Sequence, residues 1–184
     1  MDQQVPDIRL AATADLTASE LRRIRDLLEA AFADDGEGFT DDDWAHSLEG
    51  IHAVARLKGD IVAHAAVVER ELQVDRRPLR TGYVEAVATL RPLQRRGIGA
   101  VLMTEVNRHI RSAFELGALS ATFPAFYERL DWQLWRGPTY VRIDRGEQRT
   151  PDDDGAVMVL RTPATPPIDL TAPISCDWRT GDVW

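Results

Sequence analysis

Three runs between residues 51 and 90, "IHAVARL", "DIVAHAAVVERELQV" and "LRTGYVEAVATL", are rich in Val, Ile and Ala and are separated only by Lys58-Gly59-Asp60 and by Asp75 to Pro78. β-Branched residues favour the pleated chain, and links this short join strands antiparallel. The pattern predicts a three-stranded meander at the centre of the chain. The flanks have a different period. Upstream, "LTASELRRIRDLLEAAF" sets Leu21, Ile24, Leu27, Leu28 and Ala31 on one helical face behind a Thr17-x-x-Glu20 capping box. Downstream, Ile98, Val101, Leu102, Val106 and Ile110 predict a long helix over residues 97 to 114, packed on the sheet.

Shorter elements fill in the order. Residues 7 to 12 read as a first strand, and 34 to 39 as a Gly- and Asp-rich loop; Thr40 then caps a short helix carrying Trp44 and Leu48. Residues 117 to 121 suggest a fifth strand, 124 to 130 a short helix, 131 to 143 a sixth strand, and "AVMVL" a last one after an acidic turn at 151 to 155. The class is α+β, read as one domain over 1-184 with a core at about 7-160. Four prolines between 162 and 184 argue for an unstructured tail, whereas Trp178, Val183 and Trp184 argue for one that folds back on the body.

Composition narrows the function classes. The formal charge of −8 argues against nucleic acid as a partner and favours a cationic one. No apolar stretch is long enough to span a bilayer, and "MDQQVPDIRL" lacks the pattern of a secretion signal, so a soluble cytoplasmic protein is expected. Cys176 is the single cysteine, which excludes an internal disulfide and reads as a packing residue. The four histidines, His46, His52, His64 and His109, show no metal spacing, "DDDG" at 152 to 155 lacks the later ligands of an EF-hand, and no metal is expected.

The segment "LQRRGIGAVL" places Gly97 and Gly99, with Arg95 and Arg96, where a strand hands over to a helix. Glycines let the backbone approach an anion, and the first free N–H groups and the helix dipole point at it. The third small residue of a dinucleotide fingerprint is missing, since Leu102 stands there, and so is the Gly-Lys-Ser/Thr of a Walker sequence. The spacing Gln94-x-x-Gly97-x-Gly99 resembles the pyrophosphate loop of the GNAT superfamily of N-acetyltransferases, and the element order resembles theirs over residues 7 to 160. The resemblance implies a GNAT fold with a mixed, mostly antiparallel sheet flanked by helices. It also implies acetyl-CoA as cosubstrate, held by Gln94, Arg95, Arg96, Gly97, Ile98 and Gly99, with the backbone near Val87 and Thr89 on the pantetheine arm.

Acetyl transfer to an amine needs a neutral amine, a stabilised oxyanion and a proton for the departing thiolate. Tyr127, in "FYERLDW", resembles the GNAT tyrosine that protonates the thiolate; a core aromatic is the alternative. Glu85 interrupts the apolar run "GYVEAVATL". It is either a base that takes the ammonium proton through a water or one half of an ion pair with an arginine such as Arg80.

Further segments, "DDDWAHSLEGIHA", "GYVEAVA", "FELGALS", "RTPDDDG" and "CDWRTGDVW", resemble aminoglycoside 2'-N-acetyltransferases of the mycobacterial type over nearly the whole chain. That resemblance implies a polycationic aminoglycoside substrate and a homodimer. It assigns substrate contacts to Asp43, Asp153, Asp182 and Trp184, with Ser120 lining the cleft, Glu85 as base and Tyr127 as acid. The loop at 34 to 39 supplies one more carboxylate, Asp34 or Asp35. For each aspartate the alternative role is a helix cap or turn.

Overall fold

The computed structural model describes residues 5 to 34, 36 and 38 to 184. Two compact units emerge, one of Met1–Val68 with Val84–Val106, the other of Glu69–Tyr83 with Asn107–Trp184. The division falls inside two long strands and one long helix, which contribute to both.

In the first unit, β1 (Asp7–Ala12) pairs antiparallel with β2 (Ile51–Leu57), and β2 with β3 (Asp60–Val74). The end of β4 (Arg77–Thr89) lies beside β3. The predicted meander is therefore present. Helix α1 (Ala18–Phe32) starts at Thr17, whose side chain accepts from Glu20 N while Glu20 returns a bond to the Thr17 N–H. Its Ile24, Leu27 and Leu28 pack with Ala11, Val54, Ile61 and Ala88 into a core over these strands. Each leucine, isoleucine or valine buried there contributes roughly 1.5–3 kcal/mol. The short helix α2 (Asp41–Ser47) is capped by Thr40. After β4 a single 3-10 turn, Arg91–Leu93, leads to α3 (Ile98–Ala113). Ile98, Leu102, Met103 and Val106 are buried there, but Val101 is 41% exposed. Val101 was expected on the packed face; Met103 takes up core space instead.

In the second unit the strand order is β6-β9-β5-β4-β3-β10-β7-β8, formed by the remaining parts of β3 and β4, β5 (Leu116–Ser120), β6 (Gln133–Leu134), β7 (Thr139–Ile143), β8 (Gly146–Arg149), β9 (Val157–Arg161) and β10 (Ile174–Asp177). Here β3 and β4 are joined by Asp75 and Arg76, both at positive φ, as in a type I′ turn whose twist suits a hairpin. β5 runs parallel to β4 and antiparallel to β9. A Cβ on Gly82 would sit 2.7 Å from the Phe114 ring, and one on Gly117 3.0 Å from Ile110, so both glycines admit the end of α3. The short helix α4 (Pro124–Glu128) follows β5.

Two further expectations need correction. The sixth strand predicted over 131 to 143 is interrupted at Gly137-Pro138 into β6 and β7. The tail is also ordered, so "AVMVL" is not the last strand: β10 joins β7 in parallel and β3 antiparallel. Trp184 is buried at 3% exposure, while Trp178 stays outside at 60%. No described helix is long and apolar enough to cross a membrane.

The close approach of the tail at Gly137 can be tested. Its N–H donates to Leu170 O, and a Cβ there would fall 2.0 Å from Ala172 O and 2.6 Å from Thr171 O, both rigid backbone. Gly137→Ala is expected to cost about 2 kcal/mol and lower the melting temperature by roughly 4–8 °C. Limited proteolysis should then cut first between 162 and 173. An unchanged melt would show that the tail does not need this contact.

Candidate functional site

In the first unit, β4 leaves regular geometry where chemistry was expected. Ala86 has φ 51, a left-handed conformation that costs a side chain about 1–2 kcal/mol and interrupts the regular strand as a bulge does. Glu85, Ala86 and Val87 are all half-buried, so the in-out alternation of the strand fails there. A bulge frees backbone N–H and C=O groups from the ladder. The carbonyl of Ala86 accepts from His64 Nδ1 at 2.9 Å, His64 Nε2 lies 2.9 Å from His52 Nδ1, and His52 Nε2 lies 2.8 Å from Thr13 Oγ1. Both rings are fully buried. Burial pushes His52 down to about 4, and burial with the neighbouring His52 pushes His64 down to about 3.

The loop beyond β4 is shaped for an anion. Gln94 Nε2 donates to Thr89 O, tying the loop to the strand end. Arg95 (φ 60) and Gly97 (φ 82) are left-handed, the alternation that curls successive amides into a nest. Gly97 O accepts from Val101 N and so caps α3, whose first-turn N–H groups remain for a ligand. A Cβ at Gly97 would meet nothing within 4 Å, leaving open space beside the backbone, and Arg95 and Arg96 are exposed. Ile98 is buried, anchoring the helix start, and Gly99 is half-buried. These residues fit the diphosphate of a coenzyme A.

Two of the acidic residues singled out in this unit have structural partners. Asp43 accepts from Thr40 N and Oγ1, both at 2.8 Å, as the third-residue half of a capping box. Asp34 pairs with Arg91. Asp35 lies outside the described residues.

In the second unit, Tyr127 on α4 is half-buried, with the Phe126 ring at 4.9 Å and Trp132 at 6.2 Å, both edge-on. Burial pushes its phenol up to about 12, so it holds its proton throughout the physiological range. Ser120 ends β5, exposed, opposite Val157. Arg80 is paired with Glu69 and lies over the Phe114 ring.

The triplet Asp152-Asp153-Asp154 divides its work. Asp154 accepts from both guanidinium nitrogens of Arg149 (3.0 and 2.7 Å) and from Thr139 N and Oγ1, which hold its carboxyl far below the ordinary range. Asp153 is raised, chiefly by burial and then by the charges of Asp182, Asp152 and Asp154, against a bond from Thr150. The charge of Asp182 thus reaches Asp153 across about thirty residues of sequence.

The tail that carries Asp182 is held by Arg70, whose side chain is 4% exposed. Its Nε meets Asp177 Oδ1 at 3.0 Å, its terminal nitrogens reach Asp177 O and Val183 O, and its plane covers the Tyr83 ring at 4.8 Å. Trp184 Nε1 donates to Thr150 Oγ1 at 3.0 Å. Cys176, fully buried, donates to Val183 O, and burial pushes its thiol up to about 11. Sequence reasoning missed Arg70 and the histidine chain. The available signal was a charge and two imidazoles inside apolar strands.

The comparisons bear on the whole chain. A family model described as an acetyltransferase (GNAT) domain matches residues 13–135. An aminoglycoside 2'-N-acetyltransferase of Mycolicibacterium fortuitum is 43% identical over 180 residues, 96% of this chain and 91% of that protein. A GNAT family N-acetyltransferase of Escherichia coli, solved in complex with CoA, shares the fold with a TM-score of 0.65 at 16% identity, over 93% of this chain and 89% of its own. A GNAT family acetyltransferase of Brucella melitensis, in complex with acetyl-CoA, does so at 0.60 and 15%, over 91% and 94%.

The two buried histidines make acid stability predictable. Unfolded, they bind protons below about 6.5; folded, they refuse them until about 4 and about 3. The unfolded chain therefore gains protons first, and stability falls as pH descends from about 6.5 to 4, by up to roughly 1.4 kcal/mol per pH unit for each ring. Urea unfolding at pH 6 and pH 5 should show a slope smaller by about that amount in His64→Asn. An equal slope in both would mean that His64 is already protonated in the folded chain.

Proposed function

The chain belongs to the GNAT family of acetyltransferases, and from that premise we propose that it moves acetyl from acetyl-CoA to the 2'-amine of aminoglycosides by direct attack on the thioester. The observation that carries this is the likeness, along almost the entire chain, to a relative named for that reaction. The distribution of charge supports it. Asp153 is partly buried and feels the charges of Asp182, Asp152 and Asp154, and a substrate with several ammonium groups supplies a counter-ion.

The residues divide the reaction as follows. Gln94 to Gly99 hold the diphosphate with the α3 N-terminus and two arginines, and the bulged strand near Val87 and Thr89 offers backbone groups to the pantetheine arm and the oxyanion. Asp43, Asp153, Asp182, Ser120 and the Trp184 carboxylate bind and orient the aminoglycoside, with Asp35 adding a further negative charge. The 2'-ammonium loses a proton through water to Glu85. The free amine attacks the thioester carbonyl carbon, the C–N bond forms, and the C–S bond breaks. Tyr127 gives its proton to the departing sulfur. A phenol near 12 is a weak acid, but the water exclusion that raises it also raises the proton affinity of a thiolate in the same surroundings.

Thiol release from acetyl-CoA should depend on an aminoglycoside bearing a 2'-amine and vanish with those that lack it. Release only with polyamines or peptides would replace this substrate, and no release would remove the reaction. Tyr127→Phe should lower kcat by about 10²-fold with the aminoglycoside KM within about twofold. Because the substrate is multiply charged, KM should also rise with salt while kcat holds.

A further inference from the structure

We propose that His52 and His64 are positioning residues: a neutral, one-directional strut of hydrogen bonds from Thr13 to the carbonyl of Ala86 fixes the bulge that sets Glu85 and Val87 for acetyl transfer. This rests on the reading of Glu85 as base given above.

The proton positions follow from counting donors and acceptors. Ala86 O only accepts, so His64 Nδ1 carries the hydrogen in their 2.9 Å contact. A neutral ring has one N–H, which leaves His64 Nε2 an acceptor and makes His52 Nδ1 the donor at 2.9 Å. His52 Nε2 then accepts, and Thr13 Oγ1, 2.8 Å away, donates. With both rings neutral, one assignment satisfies all three contacts; a second proton on the pair would have to turn Thr13 Oγ1 into an acceptor, and full burial of both rings disfavours that charge. The same count disfavours a metal here, since each ring's single lone pair is already used; among the described residues no group of three His, Cys, Asp or Glu is placed to hold one.

The strut ends at a strained point of the backbone. An alanine at φ 51 persists only if its surroundings hold it there, and a buried carbonyl at such a kink left without a donor costs about 1–3 kcal/mol. His64 supplies that donor from β3, the neighbouring strand, and His52 from β2 keeps His64 from rotating. In the register His52 stands opposite Ala66 and His64 opposite Val54, so the two rings are diagonal neighbours on one face. Three strands thus clamp one peptide. Its neighbours on either side are Glu85 and Val87, and a peptide free to flip would carry both away from the reacting groups.

Long-range 1H–15N spectra of the histidine rings at pH 7 test the strut without turnover. Both rings are expected neutral with the hydrogen on Nδ1; an Nε2–H tautomer or an imidazolium at either would overturn it. Activity tests the consequence. His64→Leu should lower kcat about tenfold or more with KM for both substrates within about threefold, and His64→Asn, whose amide can reach Ala86 O, should regain most of it. A folded leucine variant with full kcat, or a folded asparagine variant as slow as leucine, would overturn the positioning role. Should the leucine chain fail to fold, the asparagine variant and the wild-type tautomers decide. A wild-type protein inactive on every amine would sink the functional reading alone, because the tautomers are read independently of it.

Discussion

A guanidinium taken out of water must be surrounded by acceptors, and Arg70 obliges the last part of the chain to supply them. With its side chain almost inaccessible, it draws in the carboxylate and carbonyl of Asp177 and the carbonyl of Val183. Leaving a charge of that kind unpaired inside a protein costs several kcal/mol. The demand is met only when β10 is in the sheet and the terminal residues are turned inward. Trp184 then reaches Thr150, beside the turn that carries Asp153, and Asp182 comes within electrostatic range of it. A proline-rich segment with little periodicity acquires one conformation because a single buried cation has no other way to be satisfied.

The central meander and both long helices were legible in the sequence because each buries one face, and a buried face imposes its period on the residues. What failed to show has a physical reason in each case. β8, "GEQR", is exposed on every residue and exists only by pairing with β7, so it carries no apolar signature. β10 has four residues, and its partners β3 and β7 are about a hundred and about thirty-five positions away, so the pairing is invisible locally. The break at Gly137 answers to the backbone of Thr171 and Ala172, again a distant neighbour.

The site residues follow the same rule. Gly97 and its arginines could be read because a turn between strand and helix is a local event. The difference between Asp153 and Asp154 could not, since adjacent aspartates look alike until Arg149 and Thr139 are placed against only one of them. His52 and His64 interrupt apolar strands without metal spacing, and their meaning depends on a register that sets them diagonally. The folded structure assigns charge by geometry: Asp154 is neutralised to hold a turn, while Asp153 is left in want of a cation.

Cys176 lies under the folded tail, inaccessible and with its proton held more tightly than an ordinary thiol's. Maleimide and iodoacetamide reagents attack thiolates that solvent can reach, and at neutral pH this sulfur offers neither property. The natural chain is in effect cysteine-free toward such probes. A thiol engineered on the surface would take a dye or spin label at that one position with no need to remove the native residue, and any slow modification at Cys176 would serve as a clock for the tail lifting away.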